Sequence, residues 1–313
     1  MFDTLPLFHL FGLPVYGYGL LLSIGLLIAL LILRSTFTAT FNAPQAVFPY
    51  VSCVLPCGFI GARLVYCIIR SSFLLPEFGW TFFFHFWVGG YSMLGAFIGV
   101  VIGTYLYARV SKKDVLRTFD AVVVALLFVV AVARFAEGFT TEGLGDYVDN
   151  TALQFFPIAL PDIYGDYHLP IFVYEGFCAI VIAIFTAFRL STRGKATFFA
   201  TLLFATTQIL CESLRRDGFL AFGFVRVNQL WCVFLLLGLL FWSYPHLTAK
   251  KRIFTLIFHT LGLALLVGLE FAFDKSSLDN RLLYGFMIAV LIAFVCHDIT
   301  LWTNIKNDKK VQR

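Results

Sequence analysis

Charge is scarce in this chain. Only 13% of its 313 residues are Asp, Glu, Lys or Arg, about half the share carried by a water-soluble domain. Meanwhile 60% are hydrophobic and the mean hydropathy is +0.88. A soluble fold of this length has too little interior for that much apolar surface, so the surplus must face lipid. Basic residues are also missing from the first fifteen positions, and no small-residue cleavage site follows the first apolar run. The first helix is therefore expected to be a retained anchor, not a cleaved signal peptide. Metal-ligand spacing is missing too. The seven cysteines all lie in apolar runs, and Cys53 and Cys57 have no Cys or His companion nearby in sequence, which reads as small core residues and no metal. No inverted repeat and no matched pair of Gly/Pro-broken helices is visible, which argues against a secondary transporter. The net charge of +5 is distributed as an orientation signal and gives no sign of a nucleic-acid partner.

What the chain has is Phe, 38 residues of it, which loads lipid-facing surface without needing a hydrogen-bond partner. Apolar stretches of about 20 residues predict an all-α, polytopic transmembrane bundle of about nine spans. They fall near Tyr16–Leu33, Val47–Ile69, Gly89–Tyr107, Phe119–Phe135, Pro170–Phe188, Thr197–Leu214, Val225–Tyr244, Ile253–Phe273 and Leu282–Trp302. Ser72–Val88 is aromatic and interrupted by Pro76, and reads as an interfacial or re-entrant segment. Fifteen basic residues fall on one side of these spans: Arg34, Arg109, Lys112, Lys113, Arg117, Arg189, Arg193, Lys195, Lys250, Lys251, Arg252, Lys306, Lys309, Lys310 and Arg313. The other side holds Arg70, Arg215, Arg216, Lys275 and Arg281, and its longest loop, Gly138–His168, is acidic without a single Lys or Arg. The asymmetry predicts an N-terminus outside and a C-terminus in the cytoplasm.

Charged residues inside spans cost at least a few kcal/mol and mark functional positions by default. Arg63 lies in GFIGARLVY, Arg134 and Glu137 in ARFAEGF, Glu175 in PIFVYEG, and Glu212 with Arg215 in CESLRR. The predicted orientation brings all of them to the outer side. Arginines there are suited to gripping a phosphate, because each offers a planar fork of donors and keeps its charge; the glutamates can orient the forks or act as acid or base. Interhelical ion pairs that merely hold the bundle are the plainer reading. The run GGYSMLGAFIGVVIG permits close helix packing through Gly95 and Gly99, or exposure of backbone amides to an anion through Gly89 and Gly90. His9, His246 and His297 read as interfacial, and His259 and Glu270 receive no role.

In order along the chain, YGYGLLLSIG, GFIGARLVY, GGYSMLGAFIG, VARFAEGFTTEGLG, LPIFVYEG and QILCESLRR together resemble the bacterial prolipoprotein diacylglyceryl transferase family. The resemblance implies a multi-pass enzyme of the bacterial cytoplasmic (inner) membrane. Such an enzyme moves a diacylglyceryl group from phosphatidylglycerol to the lipobox cysteine thiol of a preprolipoprotein signal peptide, releases glycerol phosphate and needs no cofactor or metal. It assigns Tyr18, Arg134, Glu142 and Glu212 to catalysis, to which Glu137 is added as a candidate base, and Arg63, Gly95, Arg134, Gly145 and Arg215 to phospholipid binding. Residues 1–245 form the expected seven-helix core with an outer loop region at 137–168, and residues 246–313 add two helices and a basic cytoplasmic tail.

The chain departs from the family pattern at several positions. Leu94 stands where the family has a histidine, Glu137 where it has the signature Asn, Gln208 where it has the first Arg of a late pattern, and Leu169 and Phe172 where it has His and Gln. Another base is then needed for the thiol, which is a weak nucleophile until deprotonated, and Glu137 and Glu142 are the nearest carboxylates. A relative that binds phospholipid or lipoprotein without modifying it stands as the alternative, followed by a transporter.

Overall fold

An apolar run without water at hand satisfies its own backbone hydrogen bonds most simply as a helix. In the computed structural model, which describes residues 6–86, 89–140, 142–216, 221–222, 225–275 and 278–311, helices dominate. They are α1 (Gly17–Phe41), α2 (Val47–Ile69), α3 (Ser71–Phe78), α4 (Met93–Val110), α5 (Val115–Ala136), α6 (Ile171–Ala187), α7 (Lys195–Leu214), α8 (Val227–Ser243), α9 (Ala249–Lys275) and α10 (Asn280–Val311). Among the described residues, eight helical segments are long and apolar enough to cross a membrane, and α6 is a shorter apolar helix of 17 residues. The chain is a multi-pass helical membrane protein.

Short strands punctuate the helices. β1 (Phe8–Leu10) and β2 (Leu13–Val15) pair before α1. β3 (Leu144–Tyr147), β4 (Leu160–Pro161) and β5 (Tyr167–Pro170) form a small antiparallel sheet with β5 in the centre. β6 (Ala221–Phe222) pairs with β7 (Val225–Arg226). The 72–88 stretch consists of α3 followed by a 3-10 turn over Trp80–Phe84, with Trp87 and Val88 outside the described residues.

The chain divides into two units. One comprises Ile28–Leu126 and Thr186–Thr197. Its centre is the α2–α4 pair, where glycine permits backbone contact: a Cβ on Gly95 would sit 2.2 Å from the Gly61 carbonyl oxygen, and one on Gly99 2.1 Å from that of Cys57. Between helices in lipid there is no water to expel, so van der Waals contact at small residues provides much of the association. Phe37 and Tyr50 meet Tyr107 edge-on beside this pair, and the Tyr50 and Thr104 hydroxyls share a hydrogen bond of 3.0 Å. At the end of α4, Asp114 pairs with Arg193 at 2.7 Å. The buried Asp120 accepts from the Gly194 and Thr197 amides and from the Thr197 hydroxyl, fixing the start of α7.

The other unit comprises Met1–Leu27, Leu127–Phe185 and Phe198–Arg313. Leu202, Leu236, Met287 and Phe294 form its main apolar cluster, and Phe198, Trp242 and Trp302 stack beside it. Here Gly25 brings α1 against Val132 of α5, and Gly176 of α6 lies against Phe135.

The third span does not start at Gly89 as the sequence predicts. Gly89 and Gly90 have φ of +80° and +79°, which a continuing helix cannot contain, and α4 begins at Met93 with the Ser92 hydroxyl accepting from the Gly95 amide.

Candidate functional site

The ends of several helices in the second unit carry the charged residues that the sequence singled out. Arg134 occupies the last turn of α5; three residues later a 3-10 turn presents Glu137. Glu175 lies in the first turns of α6, Gln208 and Glu212 follow one another down the end of α7, and Arg215 comes directly after it. Arg226 is the cap residue of α8 and Asn228 lies in its first turn.

These side chains form one buried network. Arg134 and Arg215 lie side by side because two carboxylates bridge them. Glu137 places one oxygen 2.5 Å from Arg134 Nη1 and the other 2.9 Å from Arg215 Nη2. Glu175 Oε2 lies 2.8 Å from Arg134 Nε and 2.9 Å from Arg215 Nη1. Glu212 stands further off, 3.7 Å from Arg134 Nη2 and 3.6 Å from Arg226 Nη1, and accepts from Asn228 at 2.7 Å and Gln208 at 3.0 Å. Gln208 also donates to Glu175 at 2.9 Å, so its amide separates two carboxylates. Arg226 donates to the Arg215 carbonyl at 2.8 Å.

Three guanidiniums (Arg134, Arg215, Arg226) thus face three carboxylates (Glu137, Glu175, Glu212), a formal balance of zero when all are ionised. Ion pairs out of water persist when partners and hydrogen bonds saturate each charge. Two departures from the family pattern sit inside this balance: Glu137 bridges both arginines, and Gln208 bridges two glutamates. Both oxygens of Glu137 are engaged by guanidinium groups, which fits positioning better than proton transfer.

The loop after α5 completes the site. Gly143 has φ +80°, and a Cβ there would lie 2.7 Å from Glu137 Oε2 and 2.8 Å from Phe172 Cβ; a side chain would push the carboxylate off its arginines. Gly145, on β3, would meet Ile171 and the Leu214 carbonyl at 2.9 Å. Its own carbonyl lies 3.0 Å from His168 Nδ1. Next to it Arg216 pairs with Asp146 at 2.6 Å, and that hydrogen bond raises the arginine's pKa further above its ordinary value. Tyr18, 38% exposed, is in electrostatic reach of Glu137, Glu142 and Arg134, and Glu142 is exposed on the same loop.

The structure brings together Arg134, Glu137, Glu175, Glu212 and Arg215, which the sequence reading placed at one depth. Arg63 has a different occupation. In its own unit it is 1% exposed, with Nη1 donating to the Gly89 and Gly90 carbonyls and Nη2 to those of Phe82 and His85. Gly95 packs α4 on α2, and its amide donates to Ser92. The amide nest expected from Gly89 and Gly90 is replaced by carbonyls turned toward Arg63. Arg226, Asn228 and Gly143 were not anticipated. A basic residue at the very start of a span is a readable signal for the first; the other two act through local geometry.

Fold and site together define a polytopic membrane protein with a desolvated guanidinium–carboxylate centre among its helix ends. A model of the family described as prolipoprotein diacylglyceryl transferase matches residues 6–244. The chain belongs to that family. It is similar to phosphatidylglycerol–prolipoprotein diacylglyceryl transferases of Streptococcus pneumoniae serotype 4 (27% identity over 239 residues, 72% of this chain and 87% of the relative) and Clostridium novyi (28% over 243 residues, 74% and 92%). The transferase of that name from Clostridium botulinum strain Langeland is 26% identical over 251 residues, 78% of this chain and 98% of the relative.

Proposed function

We propose that this protein transfers the diacylglyceryl group of phosphatidylglycerol to the lipobox cysteine of a preprolipoprotein. The observation that carries the reading is the fixed Arg134–Arg215 pair in a chain of this family. In the reaction a C–S bond forms as the thiolate attacks the glyceryl carbon. The C–O bond to phosphate breaks, glycerol phosphate leaves with the electron pair, and the thiol proton passes to a base. Arg134 and Arg215 stabilise the phosphate as its charge grows. Glu137 and Glu175 hold the two forks in register and Glu212 supports Arg134. Glu142, exposed beside Tyr18, is the base in this reading, since Leu94 cannot move a proton and Glu137 is engaged.

The chain crosses the bacterial inner membrane in nine spans with the N-terminus outside. Supporting this are the eight long helices together with α6 and the one-sided distribution of Lys and Arg. The cluster then lies at the outer leaflet, where an exported signal peptide arrives. Residues 1–245 are the transferase core and residues 246–313 an addition, a division supported by the family match ending at residue 244.

A second reading, a relative that holds phospholipid or lipoprotein without transfer, is favoured by Leu94, which cannot take the thiol proton, and by Glu137, whose two oxygens are both held by guanidinium groups. Incubating purified protein with labelled phosphatidylglycerol and a lipobox peptide separates the two. Labelled peptide formed by the wild type and lost in Arg134→Ala is the expected outcome; absence of product from folded wild type that still binds phosphatidylglycerol would favour the second reading.

A further inference from the structure

The two C-terminal helices lie beyond the family match, yet they bring ionisable side chains together in their interior. His259 of α9 and His297 and Asp298 of α10 each offer one ligand-type atom, and these atoms all lie within 4.8 Å of one another. His259 and Asp298 are 1% and 4% exposed. We infer that these three side chains form a binding site for a divalent transition metal of zinc type, tying α9 to α10.

The hydrogen bonding argues for it. His259 Nδ1 lies 2.9 Å from the Thr255 carbonyl. A carbonyl only accepts, so Nδ1 carries the proton, and in the neutral ring Nε2 is a bare lone pair. That lone pair faces Asp298 Oδ1 at 3.3 Å, two acceptors opposed. His259 Nε2, His297 Nε2 and Asp298 Oδ2 are all buried without a hydrogen-bond partner. An added proton would satisfy one contact among these atoms; a single cation between them satisfies all three residues. A ring N–H donated to a backbone carbonyl while the other nitrogen points at the site is how ligating histidines are usually oriented.

One distance and the donor chemistry fit an ion directly. Ligand atoms about 2.0–2.2 Å from zinc lie about 3.4 Å from each other in a tetrahedron, close to the 3.3 Å between His259 Nε2 and Asp298 Oδ1, and the wider separations in the trio, up to 4.8 Å, close by side-chain rotation on binding. Imidazole and carboxylate donors without thiolate suit zinc and its neighbours. Phe258 stacks on His297 and Phe294 meets His259 edge-on, an apolar wall that strengthens charge attraction inside. His297 is half-buried and marks the side from which an ion arrives. Three protein ligands leave a fourth position for water or a further donor.

The test uses full-length protein in neutral detergent, with any affinity tag removed, stripped by chelator and dialysed against Zn²⁺, or Co²⁺ as a coloured substitute. About one equivalent per chain is expected, with an absorption spectrum characteristic of four-coordinate Co²⁺. Asp298→Asn, nearly isosteric, and His259→Gln should each weaken binding at least tenfold while retaining the wild-type elution profile. Less than about a tenth of an equivalent on folded wild type, or undiminished binding by folded Asp298→Asn, overturns the site and leaves a protonated His–Asp pair. Transferase activity does not enter either readout, so the site and the transferase reading fail independently.

Discussion

Replacing Glu137 by the family's Asn is the sharpest probe of the charged centre. The wild-type cluster sets three guanidiniums against three carboxylates, and Glu137→Asn leaves one positive charge in excess. A phosphate held by Arg134 and Arg215 comes within about 4 Å of the Glu137 position, where two like charges repel by about 4 kcal/mol at an effective dielectric of 20. The Glu137 side chain is 13% exposed, and solvent screening reduces the relief to about 1–3 kcal/mol. Affinity for phosphatidylglycerol should therefore rise about 5- to 150-fold. Removing one member of a buried pair costs about 3–5 kcal/mol of stability, so the melting temperature should fall even as binding tightens. Titrating short-chain phosphatidylglycerol, with phosphatidylcholine as control, into both proteins in neutral detergent measures the effect. Unchanged or weaker binding by folded Glu137→Asn would refute the electrostatic account. Transfer activity that appears only in the variant would identify the wild type as a binding relative restrained by Glu137.

Arg215→Ala should reduce transfer at least a hundredfold, the loss expected when a buried anion-stabilising donor is removed; a product-release assay on folded variant checks it. Gly95→Ala should destabilise the protein by about 1–3 kcal/mol through overpacking, because the new Cβ would lie 2.2 Å from the Gly61 carbonyl oxygen; thermal unfolding in detergent reports it. The hydrogen bond with Arg193 holds Asp114 below the usual carboxylate range. A depressed carboxylate stabilises above its unfolded pKa of about 4 and loses that contribution as pH falls through its folded value. Both side chains are well exposed, so Asp114→Asn should cost no more than about 1 kcal/mol at neutral pH, with the difference from wild type vanishing under strong acid. A gap that persists there would assign the effect to something other than the ion pair.

Much of the architecture was readable because lipid demands it. Apolar runs had to become helices, and intramembrane Arg134, Glu137, Glu175, Glu212 and Arg215 had to find one another or remain uncompensated. What the sequence could not distinguish was which oxygens an arginine meets. Arg63 and Arg134 look alike in a hydropathy pattern, yet one donates to four carbonyls and the other pairs with carboxylates. Gly143 was silent because its importance lies in a left-handed turn that lets Glu137 reach Arg215. His259 and Asp298 are separated by most of two helices, and their 3.3 Å approach follows from hairpin register, which periodicity leaves undetermined.

Arg63 also explains how an irregular stretch between helices is held in place. One guanidinium provides the carbonyls of Phe82, His85, Gly89 and Gly90 with a donor, that of Phe82 in addition to the His85 amide. It serves this segment as a neighbouring strand serves the edge of a sheet. Lysine, with its donors gathered on one nitrogen, could not span the same carbonyls, so the backbone at Phe82, His85, Gly89 and Gly90 takes its bearings from a single codon of α2.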